Sequence, residues 1–136
     1  MYAFFRARIT MQRPDALALL TLSGLLLCGF ASLAMAEACL IESNDDGLAI
    51  RMCQQNISIP QHLFSGSFCQ PQIPERTFTI SSLEACPAGA YGVCEGARSE
   101  GVGYRQSIHY YSDPDDAAVL RAYCEKISNG TWRFPD

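Results

Sequence analysis

Apolar positions along this chain change their spacing three times, and each change marks a different kind of segment. From Ala16 to Ala36 the chain is largely apolar, broken by Ser23, Gly24, Gly29 and Ser32. Beyond residue 37 the apolar runs become short. Cys39–Glu42 and Leu48–Cys53 flank the turn-forming cluster Ser43–Gly47, which predicts a hairpin. A turn centred on Asp46 places Ile41 opposite Arg51 and Cys39 opposite Cys53. The next stretch, Gln54–Arg76, is interrupted by Pro60, Pro71 and Pro74 and reads as an irregular connection. A short helical turn over Pro60–Phe64 is expected there, with Leu63, Phe64 and Phe68 pinning the connection to the core. Thr77–Ser81 then alternates, with Phe78 and Ile80 on one face. Turns at Glu84–Gly89 and Ser99–Gly103 bound a strand over Ala90–Gly96, and Tyr104–Tyr111 is the longest strand. The order implies an antiparallel meander.

The last change is to helical spacing. Ser112 or Asp113 is placed to cap a helix, Pro114 suits its first turn, and Asp115 and Asp116 lie at the positive end of its dipole. Ala117, Leu120, Cys124 and Ile127 form the predicted inner face. Asn129-Gly130 ends the helix, and Thr131–Phe134 is a short closing strand with Trp132 against the helix. The expected fold class is α+β: a small disulfide-stapled domain of antiparallel β-meander and hairpins, with one main C-terminal helix packed on the sheet.

The leading apolar segment reads as a secretory signal. Arg13 precedes the run Leu17–Phe30, and Ala34-Met35-Ala36 is the small-x-small pattern cut by a signal peptidase. Residues 1–36 are therefore assigned to the leader and 37–136 to one extracytoplasmic domain. Counting from Met11 gives a leader of more usual length, so Met11 is the expected start. Ala36-Glu37-Ala38 offers a second cleavage point. Acylation of Cys28 is disfavoured by bulky Leu27 before it. An uncleaved anchor, which needs about 20 apolar residues, is disfavoured by the small and polar interruptions and by the cleavage motif.

Cysteine usage defines the rest. Six of seven cysteines follow the leader: Cys39, Cys53, Cys69, Cys86, Cys94 and Cys124. A domain of this size buries a limited core, and an even cysteine count in an oxidising compartment reads as three bridges. Among fifteen possible pairings, the hairpin favours Cys39–Cys53, and a helix cysteine facing the sheet favours Cys94–Cys124, which leaves Cys69–Cys86. No Cys-x-x-Cys or Cys/His spacing supports a redox or zinc site. The net charge is −4, and three of the ten basic residues (Arg6, Arg8, Arg13) precede residue 37. The remaining domain is more acidic still and has no basic cluster, which argues against nucleic acid as a partner.

No motif announces catalysis. His62 and His109 are the only histidines, and neither sits beside a recognisable nucleophile. Asp113, Asp115 and Asp116 fail the calcium-loop pattern, as do Asp45 and Asp46, and are explained by helix capping and a turn. No cofactor or metal is expected. Tyr91, Tyr104, Tyr110, Tyr111 and Trp132 are dense, and aromatic faces of this kind bind sugars or proteins when they do not fill a core. Tyr110 and Tyr111 point to opposite faces of one strand, so these two, with His109, are the expected contact residues. Asn56-Ile57-Ser58 and Asn129-Gly130-Thr131 match the glycosylation sequon.

The C-terminal half carries a further pattern: Cys86-Pro87, Gly92-Val93-Cys94, Tyr110-Tyr111-Ser112, a helix ending at Cys124, and Gly130-Thr131-Trp132. It resembles a small cysteine-rich domain of unknown function found in bacterial secreted proteins and lipoproteins. Glu125 and Lys126 replace the small residues usual after the helix cysteine. The resemblance spans about residues 86–132 and implies a bacterial envelope or extracellular setting. It carries no catalytic residue. The expected function is a non-enzymatic binding or structural module that meets an envelope or extracellular protein and keeps no membrane anchor once its leader is cut. The second expectation is a hydrolase inhibitor acting through the 60–74 loop.

Overall fold

The computed structural model describes residues 37–99 and 101–135. The expected leader, with Met11, Cys28 and the Ala34–Ala36 cleavage motif, lies outside the described residues. Six strands build one sheet: β1 (Ala38–Ser43), β2 (Ile50–Asn56), β3 (Thr79–Leu83), β4 (Gly92–Arg98), β5 (Arg105–Tyr110) and β6 (Thr131–Arg133). Their order is β3-β1-β2-β5-β4-β6, and every neighbouring pair is antiparallel. A short helix, α1 (Gln61–Leu63), runs on as a π turn to Phe68. The main helix, α2 (Ala117–Lys126), follows a 3₁₀ turn over Pro114–Asp116. The expected class, a disulfide-stapled α+β domain, is the class observed.

Topology departs from a simple meander at β3. That strand returns to pair with β1 at one edge of the sheet, while β4 lies two strands beyond β2. β5 fills the gap between the hairpin and β4, so the two hairpins are joined through their second strands.

Strand alternation gives the sheet two differently covered faces. On the first face lie Cys39 and Ile41 of β1, Met52 of β2, Ile80 of β3, Ile108 and Tyr110 of β5, Cys94 of β4 and Trp132 of β6. The 57–78 connection covers one half of this face with Ile59, Leu63, Phe64 and Phe68, and α2 covers the other with Ala117, Leu120 and Cys124. The opposite face carries Ala38, Leu40 and Cys53 and is capped by Leu83, Cys86 and Tyr111. Asn56 ends β2 by exchanging two 2.8 Å hydrogen bonds with the backbone of Ile59, which turns the chain onto the first face.

Sulfur makes up much of the interior. Among the described residues, six large side chains are less than 2% exposed: Phe64, Ile41, Cys39, Cys53, Cys94 and Cys124. The bridges are Cys39–Cys69, Cys53–Cys86 and Cys94–Cys124. The third is the expected one; the expected Cys39–Cys53 and Cys69–Cys86 pairings are corrected. The cause is a register shift of one residue. The hairpin turn spends six residues, with a 3₁₀ turn at Asp45–Gly47, so Cys39 faces Gln54 and Leu40 faces Cys53. A shift of one residue sends the two cysteines to opposite faces. Cys39 therefore meets Cys69 at the end of the strap on the first face, and Cys53 meets Cys86 in the loop folded over the second.

Three smaller corrections concern α2. Neither Ser112 nor Asp113 caps it: Asp113 adopts φ 55° without a side-chain cap bond, and the Ser112 hydroxyl accepts the Arg51 N–H at 2.9 Å. Ile127 lies just past the last helical turn and is 60% exposed instead of facing the sheet. Cys124 is the one residue of α2 that is fully buried.

Candidate functional site

The three residues expected to make contacts are largely occupied within the fold. The Tyr110 ring stacks on Trp132 at 5.6 Å and 25°. Burial, with smaller contributions from Tyr91 and Tyr123, pushes its hydroxyl up to about 12. Tyr111, on the other face, donates its hydroxyl hydrogen bond to the Pro87 carbonyl, and Arg51 stands 5.2 Å from its ring centre. His109 is half-buried beside Cys53 and Val93. Burial lowers its pKa, and the Glu95 carboxylate opposes that shift. His62 is exposed in α1, remote in sequence and on a different element. Among the described residues, no group of three or more His, Cys, Asp or Glu side chains is placed to hold a metal ion.

Tyr110 gives an alkaline prediction. Its folded pKa is about 12 against 10.0 for the free side chain. Between these values the unfolded chain has lost a proton that the native protein keeps. Stability is therefore full below the unfolded value and falls as pH rises toward the folded one, by about 2–3 kcal/mol in total. Urea unfolding across that range should show the slope, and Tyr110→Phe should flatten it.

A different apolar region is exposed. Val119, Tyr123 and Ile127 recur every four residues and are 71%, 56% and 60% exposed, forming one apolar row on the outside of α2 and its C-terminal extension. Beside this row, between the end of α2 and the first face of β4 and β5, lies a cavity of about 520 Å³. Ala97, Gln106 and Ile108 form its floor; Tyr123, Lys126, Ile127 and Ser128 line its helical side. The cavity sits where the β4–β5 register shifts between Cys94 and Ala97. Gly96 adopts φ 68° there, the left-handed conformation that a bulge of this kind requires.

Gln106, at the floor of this cavity, carries an unpaired polar atom that is buried beneath the cavity surface. Gln106 is 7% exposed, and its Oε1 has no hydrogen-bond partner. Burying an unpaired carboxamide oxygen costs about 1–3 kcal/mol. Among the described residues, the lining includes two cations, Arg98 and Lys126, and no carboxylate. Neither cation has an ion-pair partner among the described residues, whereas Arg51, Arg121 and Arg133 are paired with Glu42, Glu125 and Glu95.

Gln106 is not among the expected contact residues, although the sequence carries a signal for it. Gln106, Ile108 and Tyr110 share one strand face, so a carboxamide interrupts an otherwise apolar row. No protein-family model matches the chain, and no curated protein or solved structure matches it either.

Proposed function

We propose that this chain is an exported, non-enzymatic binding module of the bacterial cell envelope, held in shape by its bridges and presenting the outside of α2 to a partner protein. The row Val119, Tyr123 and Ile127 carries this reading. Scattered exposed apolar residues are ordinary, but three aligned along a helix and its C-terminal extension beside a cavity mark an interaction surface. Three intramolecular bridges fit an oxidising compartment. The apolar leader and the resemblance of residues 86–132 to domains of bacterial secreted proteins support the envelope setting.

Cleavage after Ala36 suits this reading better than cleavage after Ala38. The Glu37 N–H donates to the Leu83 carbonyl, and the Glu37 carbonyl accepts from the Asn56 N–H and the Gln55 side chain. Ala38 is fully buried and pairs with both β2 and β3. A cut after Ala38 would remove these ties from the central hairpin.

One observation favours the inhibitor reading. Ile73 is 49% exposed between Pro71 and Pro74, shortly after bridged Cys69. Photo-crosslinkers at Val119 and at Ile73, in protein exported by living cells, separate the two. The expected result is a discrete protein adduct from Val119 that is lost in Tyr123→Asp/Ile127→Asp, whose melting temperature stays within about 3 °C of the parent, as expected of exposed positions. An adduct from Ile73 alone, to a hydrolase, would replace this reading with the inhibitor.

A further inference from the structure

The outer edge of β3 is an open pairing site, and its geometry fits a second copy of this chain. Among the described residues, β3 (Thr79–Leu83) ends the sheet and pairs only with β1. Which of its backbone groups point outward follows from the hydrogen bonds two strands away. The Asn56 N–H donates to the Glu37 carbonyl at 2.7 Å, and that pair continues the β1–β2 register. Residues of an antiparallel strand face their two neighbouring strands alternately. Cys39, Ile41 and Ser43 therefore bond to β2, and Ala38, Leu40 and Glu42 to β3. The register partners of these last three, Leu83, Ser81 and Thr79, bond inward. Ile80 and Ser82 are left with their N–H and C=O groups on the outer edge, and no described residue bonds to them.

We propose that the chain forms a two-fold dimer by antiparallel pairing of β3 with β3 of a second copy, centred on Ser81. This register is self-complementary. Ile80 of each copy exchanges both backbone bonds with Ser82 of the other, so every outward group is used. Ser81 meets its own counterpart across the two-fold, Thr79 meets Leu83 and Phe78 meets Glu84, so no like charges oppose one another. An extended foreign peptide would use the same outward groups; what singles out a second copy is that one register satisfies all of them on both sides. Sheet edges are usually guarded by charge, proline or shortness. The opposite edge is guarded in all three ways: β6 has three residues, Arg133 on it pairs with Glu95, and Pro135 follows. β3 has five residues and neither charge nor proline. The acidity of the domain opposes self-association, but charges are screened beyond about 8 Å at physiological salt, and β3 itself carries none. α2 packs on the other half of the sheet, so this pairing leaves the Val119 row of each copy open and does not rest on it.

The test is sedimentation velocity of the exported protein from about 10 μM to about 1 mM, a range suited to an interface at the small end of known sizes. The expected result is a shift from monomer to dimer mass across it. Ser82→Pro removes one outward N–H and none of the bonds to β1, a change that edge strands tolerate. It should stay monomeric throughout, with a melting temperature within about 3 °C of the parent in dilute solution. Ser81→Lys sets two like charges against each other across the two-fold and should weaken the dimer about fivefold, whereas an equimolar mixture of Ser81→Lys and Ser81→Glu should restore it. A monomer at every concentration would overturn the proposal, as would a dimer that survives Ser82→Pro. If Ser82→Pro melts early, the Ser81 variants decide alone, and a mixture no tighter than Ser81→Lys by itself counts against the pairing. Crosslinks from Val119 do not depend on this edge, so the binding-module reading and the dimer stand or fall separately.

Discussion

Replacing Cys94 and Cys124 together by alanine is expected to lower the stability of the domain by about 3–4 kcal/mol and to release α2 before the rest unfolds. The magnitude follows from closing a loop of 30 residues, which restricts the unfolded chain by roughly that amount. The location follows from packing. Cys124 is the only fully buried residue of α2, and the helix otherwise rests on half-buried Ala117 and Leu120. Without the bridge, little apolar area holds the helix against the sheet. Hydrogen exchange should show the amides of Ala117–Lys126 losing protection ahead of β1 and β2. Uniform loss of protection at all strands would contradict this, as would a stability change below about 1 kcal/mol, well short of the usual effect of a native bridge. Reducing all three bridges should leave the chain unfolded. Total stability of a domain is only about 5–15 kcal/mol, and four of the six most deeply buried large side chains are the bridging cysteines themselves.

The same bridges mark where sequence reading succeeds and where it stops. Strand positions were legible because alternation is a local property: Thr79–Leu83, Gly92–Arg98 and Arg105–Tyr110 fall within a few residues of the expected strands. The Cys94–Cys124 pairing was legible because helical spacing alone turns Cys124 inward, and Cys94 lies on the strand beneath. The other two pairings depended on hairpin register, and register depends on turn geometry that residue types do not fix. One extra residue in the turn puts Cys39 and Cys53 on opposite faces. Strand order is less local again. Nothing in the run Thr77–Ser81 says that it crosses back to β1 instead of leading into β4. The cavity arises from two such nonlocal facts, the bulge at Gly96 and the landing point of α2. Its residues therefore could not be gathered from sequence, even though Gln106 breaks an apolar row and Gly96 interrupts a strand. Tyr110, Tyr111 and His109 stand out in the sequence only as aromatic and titratable groups, and the fold uses the two tyrosines chiefly for packing and for tying loops down.

Two glycines of the C-terminal half acquire a physical reason from this packing, and one of them supplies the sharpest mutational test. Gly92 lies on the first face of β4 beneath the Trp132 ring, so a Cβ at this position would fall among the ring atoms Cζ2, Cη2 and Cε2. Its φ is ordinary; the constraint is space alone. The ring has nowhere to retreat, because Tyr110 stacks on it at 5.6 Å and Phe134 meets it edge-on at 6.1 Å. The β4 backbone is held by β5 on one side and by β6 on the other. Gly130 is confined in the same way over the bridge, where a Cβ would stand 2.6 Å from the Cys94 sulfur and 3.0 Å from that of Cys124. Gly92→Ala is accordingly expected to cost about 3 kcal/mol, the upper part of the range for overpacking a filled core. Trp132→Leu removes the obstructing ring, so adding Gly92→Ala to that background should cost less than about 1 kcal/mol. Denaturant unfolding of the four proteins in this cycle measures the coupling directly. An equal cost for the alanine in both backgrounds would mean that Gly92 is required for its backbone and not for the ring above it.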